Sequence, residues 1–335
     1  MIDKINISVL ITSIDQRKIT IDTANYYSNI CNEVILVDEQ QPHLSDDEIK
    51  ILKKKGIKYI KYKTIKSEFS IDSLYKKRLI AANRSSKRFI VHSNHDERYT
   101  YHGLLACISE LENNKDLIFC AGQAIAVRKF NNKIYYTRSY KNLIKYKNIN
   151  EVKLRLYNHS EKYVPIAHYS VWRKKSFIDS IERTISVLES LPSDSILNEV
   201  IFEFSADLSG NSKSLNEFYW LRNRIDQSWS SVNIDFQYSI KVIKNKLNLL
   251  LGNLNDVKVD ILINGICKNL PFLQPKSFIE KIISLIKFII RKVLNFKKRE
   301  KRRTNGFDDI ENLLNESKIK YNKKDLKNLL NSMNL

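Results

Sequence analysis

The amino-acid sequence predicts an α/β protein: a mostly parallel sheet with helices on both faces, followed by a helical C-terminal extension. Three observations lead there. Short apolar runs recur early in the chain and each ends in polar residues: ISVLI at 7–11, EVILVDE at 33–39 and RFIVHS at 88–93. Helix-compatible segments separate them, and beyond about residue 236 the strand-like runs stop and lysine-rich helical sequence takes over. Short apolar runs fit strands buried on both faces, and strands alternating with helices at this spacing indicate parallel βαβ units.

Taken in order, ISVLI passes through Thr12-Ser13 and Asp15-Gln16-Arg17 into a helix reaching Cys31, and EVILVDE completes a βαβ unit. IKYIKY (57–62) reads as a third strand, SIDSLYKKRLIAAN (70–83) as a helix and RFIVHS as a fourth strand. HGLLACISELEN (102–113) is helical, DLIFCAGQAIAV (116–127) a strand or strand pair, and KIYYTRSY (133–140) its hairpin partner. HYSVWRKKSF (168–177) reads as a strand entering the helix FIDSIERTI. SDSILNEVIFEFSADLSG (193–210) is a helix with Ser193 or Asp194 as N-cap and Gly210 as its stop. A boundary at 230–240 divides a domain at 1–235 from a basic helical extension at 236–335.

With 335 residues, 43% of them hydrophobic, the chain is long enough and apolar enough to bury a large core. Its net charge of +20 implies an anionic partner: nucleic acid, a phosphorylated substrate or an acidic membrane surface. Nucleic acid finds no support in the pattern, because no RNP, zinc-finger or helix-turn-helix signal is present and the lysines are dispersed. Cys31, Cys107, Cys120 and Cys267 lie far apart without CxxC spacing, which argues for buried thiols in a reducing compartment. MIDKINISVLITSI has no basic n-region, long apolar core or cleavage site of a secretory signal, so cytoplasmic residence is expected.

The extension contains FIEKIISLIKFIIRKVLNF (278–296), in which Glu280, Ser284, Lys287, Arg291 and Asn295 recur at helical spacing and leave a broad apolar face. KKREKRR follows, and residues 276–303 carry eleven Lys/Arg against two glutamates, a local charge of +9. Charge interrupts the apolar stretch too often for a membrane span of ~20 apolar residues. An interfacial helix beside a polybasic patch is expected instead, holding the protein peripherally on an anionic cytoplasmic leaflet.

ISVLITSIDQR, EVILVDEQQ and RFIVHSNHDE, in that order, resemble the three strand-end signatures of family 2-like glycosyltransferases with a GT-A (Rossmann-like) fold. DLSGNSKSLNEFYWLRNRIDQSW (207–229) resembles an ending found in a bacterial branch that acts on surface polysaccharides. The resemblance covers roughly residues 5–230. It implies a nucleotide-sugar donor, a glycan or lipid-linked acceptor, and inversion at the anomeric carbon.

The resemblance also implies roles. Asn94-His95-Asp96 falls on the slot of the DXD motif, which binds a divalent cation, Mn²⁺ or Mg²⁺, bridging the donor diphosphate. Asp96 is then the metal ligand, with Glu97 as second, His95 assisting and Asn94 on the donor. Thr12, Ser13, Asp15 and Arg17 would hold the nucleotide and its phosphate, Asp38 the base or ribose, and Arg78 the diphosphate. The general base would be Asp194 or Glu199. His168, Tyr169 and Trp172 would form an acceptor platform. Ordinary chemistry accounts for the same residues: N-capping side chains in strand-to-helix turns, a solvated loop paired with Arg98 or Lys87, and core aromatics. Replacement of the first acid by Asn94 also fits a degenerate fold serving as a glycan-binding scaffold.

Overall fold

The computed structural model describes residues 3–13, 17–39, 42–63, 71–94, 97–130, 133–140, 143, 149–188, 195–223, 236–252, 254, 256–270 and 306–333. The chain begins β1 (Ile5–Ser13), α1 (Arg17–Ile30), β2 (Cys31–Asp38), α2 (Asp46–Lys54), β3 (Ile57–Lys61), α3 (Ile71–Arg84) and β4 (Phe89–Ser93). It continues β5 (Glu97–Tyr99), α4 (Tyr101–Asn113), β6 (Leu117–Phe130), β7 (Lys133–Ser139), α5 (Val152–Glu161), β8 (Val171–Arg173), α6 (Lys174–Leu188), α7 (Ser195–Ser209) and β9 (Asn211–Asn223). Four described helices follow: α8 (Phe236–Leu251), α9 (Val259–Asn269), α10 (Gly306–Glu316) and α11 (Lys323–Ser332).

One nine-stranded sheet runs β3-β2-β1-β4-β8-β6-β9-β5, with β7 paired to β6. The first four strands are mutually parallel, β8 enters antiparallel to both neighbours, and β6 and β9 are parallel to each other. In β1 every residue except Asn6 is buried, as expected for a strand covered on both faces. The fold is therefore the expected α/β, Rossmann-like one.

Several elements refine the sequence reading. DLIFCAGQAIAV is part of one strand of 14 residues, not a pair. Its pairing is irregular where Gly122 passes β9: a Cβ there would lie 2.5 Å from the Glu217 carbonyl oxygen, and the β6–β9 register shifts between Ala121 and Gln123 and again between Gln123 and Ala124. Helix α2 was not anticipated. Ser45 and Glu48 form a reciprocal capping box there, with Asp46 and Asp47 in the first turn and Lys53 and Lys54 in the last. Strand β5 was read as part of the polar cluster, and β8 is shorter than expected, leaving His168 and Tyr169 in a 3-10 turn (Ala167–Tyr169) ahead of it.

The C-terminal helices pack on the sheet domain. α9 packs on α5 and α8 on α7, and both contribute to the main core through Leu247, Leu262 and Ile266. From α10 and α11, Ile310, Leu314, Leu326, Leu329 and Leu330 cover Ile125, Val127, Phe218 and Leu221 of β6 and β9. The amphipathic segment 278–296 lies outside the described residues.

Candidate active site

Strand order reverses at β1: β2 and β3 lie to one side, β4 to the other. Such a reversal opens a crevice at the carboxyl ends of the strands, where α/β proteins place ligands. The register puts Ser13 beside Asp38 and Ile11 beside Ser93, so the polar ends of β1, β2 and β4 meet at one edge.

On the first side of the crevice Thr12 Oγ1 lies 3.1 Å from His92 Nε2, and Ser13 Oγ lies 3.3 Å from Thr20 Oγ1. Arg17 donates to the Pro42 carbonyl. Asp38 accepts a 2.6 Å hydrogen bond from Tyr59 OH, with His43 Nδ1 4.0 Å away. The next residue, Glu39, pairs with Lys77, whose side chain is fully buried.

Helix α3 brings both Lys77 and Arg78 inward, and their 100° separation around the helix sends them to different partners. Arg78 is only 3% exposed and lies over the Tyr75 ring, 5.3 Å from its centre. Among the described residues it has no ion pair, and its Nε has no hydrogen-bond partner. Burial pulls its pKa down, offset in part by Tyr75, Tyr169, Tyr99 and Glu199. A buried cation without a bonded counter-charge is costly, and an anionic ligand is the direct way to relieve it. His92 Nδ1 and both side-chain amide atoms of Asn198 are also buried without partners, while the Asn198 carbonyl accepts from Tyr75 OH at 2.9 Å.

Glu199 stands across from Arg78 on α7, partly exposed, with Oε1 accepting from Tyr163 OH at 3.3 Å. Burial pushes its carboxyl up to about 7, with Tyr163 and Arg78 pulling the other way. Glu203 and Asp207 follow at intervals of four on the same helical face. Glu203 accepts from Ala167 N (2.9 Å), His168 N (3.0 Å) and, at 3.0 Å, faces His168 Nδ1; burial pushes it up to about 8. His159 Nδ1 lies 2.6 Å from Asp207. Burial lowers the His159 pKa, but Asp207 and Glu203 override that and raise it to about 9.

The far wall is Arg222 on β9. Its Nε lies 3.1 Å from Glu97 Oε1, its guanidinium donates to the hydroxyls of Tyr140 and Tyr169, and it sits over both rings at 5.3 and 5.2 Å. Tyr169 stacks on Trp220 with centroids 4.8 Å apart.

These positions bear unevenly on the expected roles. Asp15, His95, Asp96 and Asp194 lie outside the described residues. Glu97 is 2% exposed, with one oxygen on Arg222 and the other 3.4 Å from Asn94 Nδ2. A divalent ion on that carboxylate would share it with the guanidinium of Arg222. Among the described residues no group of three His, Cys, Asp or Glu side chains is arranged to hold a metal. Trp172 offers no face to a sugar: it is fully buried, donates to the Ala167 carbonyl at 2.8 Å and packs on Phe119 at 4.5 Å. His168 is held by Tyr75 and Glu203 beneath the site, and Tyr169 is the member of that trio that reaches the Arg222 cluster. Sequence reasoning missed Tyr75, Glu203, Tyr140 and Arg222; only the four-residue spacing of Glu199, Glu203 and Asp207 was there to be read.

No family model matches the chain, and no curated protein matches it in sequence. Among solved structures, that of S. aureus TarS 1-349 is similar over 80% of this chain and 71% of that one, at 14% identity and a TM-score of 0.49. The same fragment in complex with UDP gives 79% and 71% coverage, 13% identity and a TM-score of 0.46. A further S. aureus TarS structure is covered over 43% of its length by 79% of this chain, at 13% identity and a TM-score of 0.49.

Proposed function

We propose that this chain is a nucleotide-sugar-dependent glycosyltransferase that moves a sugar, with inversion, onto a lipid-linked or growing cell-surface glycan. The observation that carries the reading is one juxtaposition: a buried Arg78 lacking a bonded anion, and across from it Glu199, a carboxylate held up to about 7. The first suits a diphosphate leaving group and the second suits a base working near neutrality.

In this mechanism the acceptor hydroxyl attacks the anomeric carbon from the face opposite the nucleotide. The new C–O bond forms as the bond to the β-phosphate oxygen breaks, and the hydroxyl proton passes to Glu199. Negative charge developing on the nucleoside diphosphate is met by Arg78. Asp38, with its orientation fixed by Tyr59, would accept from the base or ribose. A divalent cation, if His95 and Asp96 hold one, supplies further positive charge at the diphosphate. The acceptor class accords with the basic segment 276–303, which would hold the enzyme at an anionic leaflet. No described helix is long and apolar enough to cross a membrane.

The test is thermal shift with a panel of nucleoside diphosphates, with and without Mn²⁺. One nucleotide is expected to stabilise the wild type, and Arg78→Ala to lose ~10–100-fold in affinity, the value of one or two charge-assisted hydrogen bonds. No stabilisation by any nucleotide would sink the donor reading and leave the glycan-binding scaffold, for which wild type and Glu199→Gln should show the same background turnover.

A further inference from the structure

The crevice ends at β5, a strand of three residues that leaves the turn carrying Asn94. It lies at the sheet's edge and pairs with β9, Glu97 opposite Arg222 and Tyr99 opposite Trp220. So short an edge strand has little stability of its own. Side chains alternate along it. Glu97 and Tyr99 share one side: Glu97 bonds Arg222, and Tyr99 OH donates to the His92 carbonyl at 2.7 Å. Arg98 must therefore face the other way, and what it meets there is the far end of the chain.

Arg98 is 5% exposed; its guanidinium donates to the Ser332 carbonyl and, at 2.7 Å, to Ser332 Oγ, at the end of α11. The start of α11 makes a second attachment. The buried Asp325 carboxylate accepts from the backbone N–H of Tyr101 (3.2 Å) and His102 (2.9 Å), the first residues of α4. Asp325 is itself fixed by the Asn322 N-cap, 3.0 Å from its backbone N–H. A third attachment reaches β9: Phe218 N donates to the Lys320 carbonyl at 2.7 Å and Lys320 N to Asn216 at 3.0 Å. Residues 97–102 are thus gripped from behind at both ends by one helix more than 220 residues away in sequence.

We propose that α11 positions the donor side of the crevice, with Arg98 and Asp325 as positioning residues that set Asn94 and the Glu97 carboxylate beside it; this rests on the reading of the crevice as a nucleotide-sugar site. Neither residue faces the substrate. Both act through β5, and losing one hydrogen bond to the donor costs about 10-fold in affinity.

The experiment uses the full chain with Arg98→Ala, Arg98→Lys and Asp325→Asn, which leave the apolar contacts of α10 and α11 in place. Amide hydrogen exchange at 97–102, donor KM and acceptor KM are read together. Expected are faster exchange at 97–102 in Arg98→Ala and Asp325→Asn, and donor KM raised ~10-fold with acceptor KM unchanged. Arg98→Lys, which keeps one donor to the Ser332 carbonyl, should recover part of both. Unchanged exchange, or faster exchange with donor KM unmoved, overturns the proposal, the latter leaving α11 a purely stabilising element. If the wild type handles no nucleotide-sugar, the donor reading fails and takes the functional half with it. The exchange arm then still reports separately whether α11 holds β5.

Discussion

The base of the parallel strands and the crevice at their carboxyl ends treat buried polar groups in opposite ways. In the parallel half (β3-β2-β1-β4) the buried acid at the base of the sheet, Glu33, is saturated: it accepts from Ser8 Oγ, from the Ser86 backbone and hydroxyl at 2.9 Å, and from Lys58 at 2.5 Å. These partners override its desolvation and lower its pKa to about 2. Around the crevice, Glu199 and Glu203 on α7 are pushed up to about 7 and 8, His159 on α5 is raised to about 9, and Arg78 on α3 lacks a bonded anion. A carboxylate with four donors serves the fold. One that burial holds near neutrality is poised to move a proton, and perturbed groups beside a crevice are where chemistry is to be sought.

The strongest way to break this contrast is Glu199→Gln. If Glu199 is the base, kcat falls by ~10²–10⁴ while donor affinity stays, since the amide keeps the Tyr163 contact but takes no proton. In the wild type kcat should rise with pH through about 7, as the carboxylate empties. A Glu199→Gln enzyme with ordinary turnover and an unchanged pH profile would return Asp194 as the remaining candidate.

Stability against pH sharpens the same comparison. His159 is raised above its ordinary 6.5, so its contribution is complete below 6.5 and is lost as pH rises through about 9. Glu203, raised above 4.5, has the same sign: complete below 4.5 and lost as pH rises through about 8. Glu33 has the opposite sign, its contribution being present above 4.5 and lost as pH falls through about 2. Urea midpoints are therefore expected to fall between pH 6 and 9, and Glu203→Gln to flatten that slope. Glu33→Gln should leave the alkaline slope alone and change only the acid limb.

How legible each region was follows from the same physics. Apolar runs between helical segments were enough for β1, β2 and β4, because parallel strands buried on both faces write their burial directly into composition. β5 escaped notice because Glu97-Arg98-Tyr99 is polar, and a paired Glu97–Arg222 looks like solvated charge until β9 is placed beside it. Arg78 and Glu199 were reachable from helix position and motif order. Tyr75, Glu203 and Arg222 were not: Tyr75 and Arg222 are defined by partners 90 to 130 residues away, and Glu203 by Ala167 and His168 in a turn 35 to 36 residues before it. Trp172 was misplaced for a related reason: an aromatic beside candidate acceptor residues says nothing of which way it points, and here it points into the core.

The smallest effect tests the parallel half alone. Helix α2 is nine residues long, buries only Ile49 and Leu52 and lies on the outer side of β3, so its own stability is marginal. Ser45 accepts from Glu48 N, and Glu48 Oε2 in return takes the Ser45 backbone N–H and hydroxyl, each at 2.8 Å. Ser45→Ala removes the hydroxyl half of the box and should cost about 1 kcal/mol, read as a shift in urea midpoint with unchanged slope. Beside the helix start, Leu44 N donates at 3.3 Å to the hydroxyl of Tyr59, which itself donates to Asp38 at 2.6 Å. Donor KM should therefore stay within about 2-fold, the range of a cap loss that leaves the stronger hydrogen bond intact. A larger rise would mean that α2 sets the Tyr59–Asp38 pair, and that the parallel half of the sheet is not energetically separate from the site it borders.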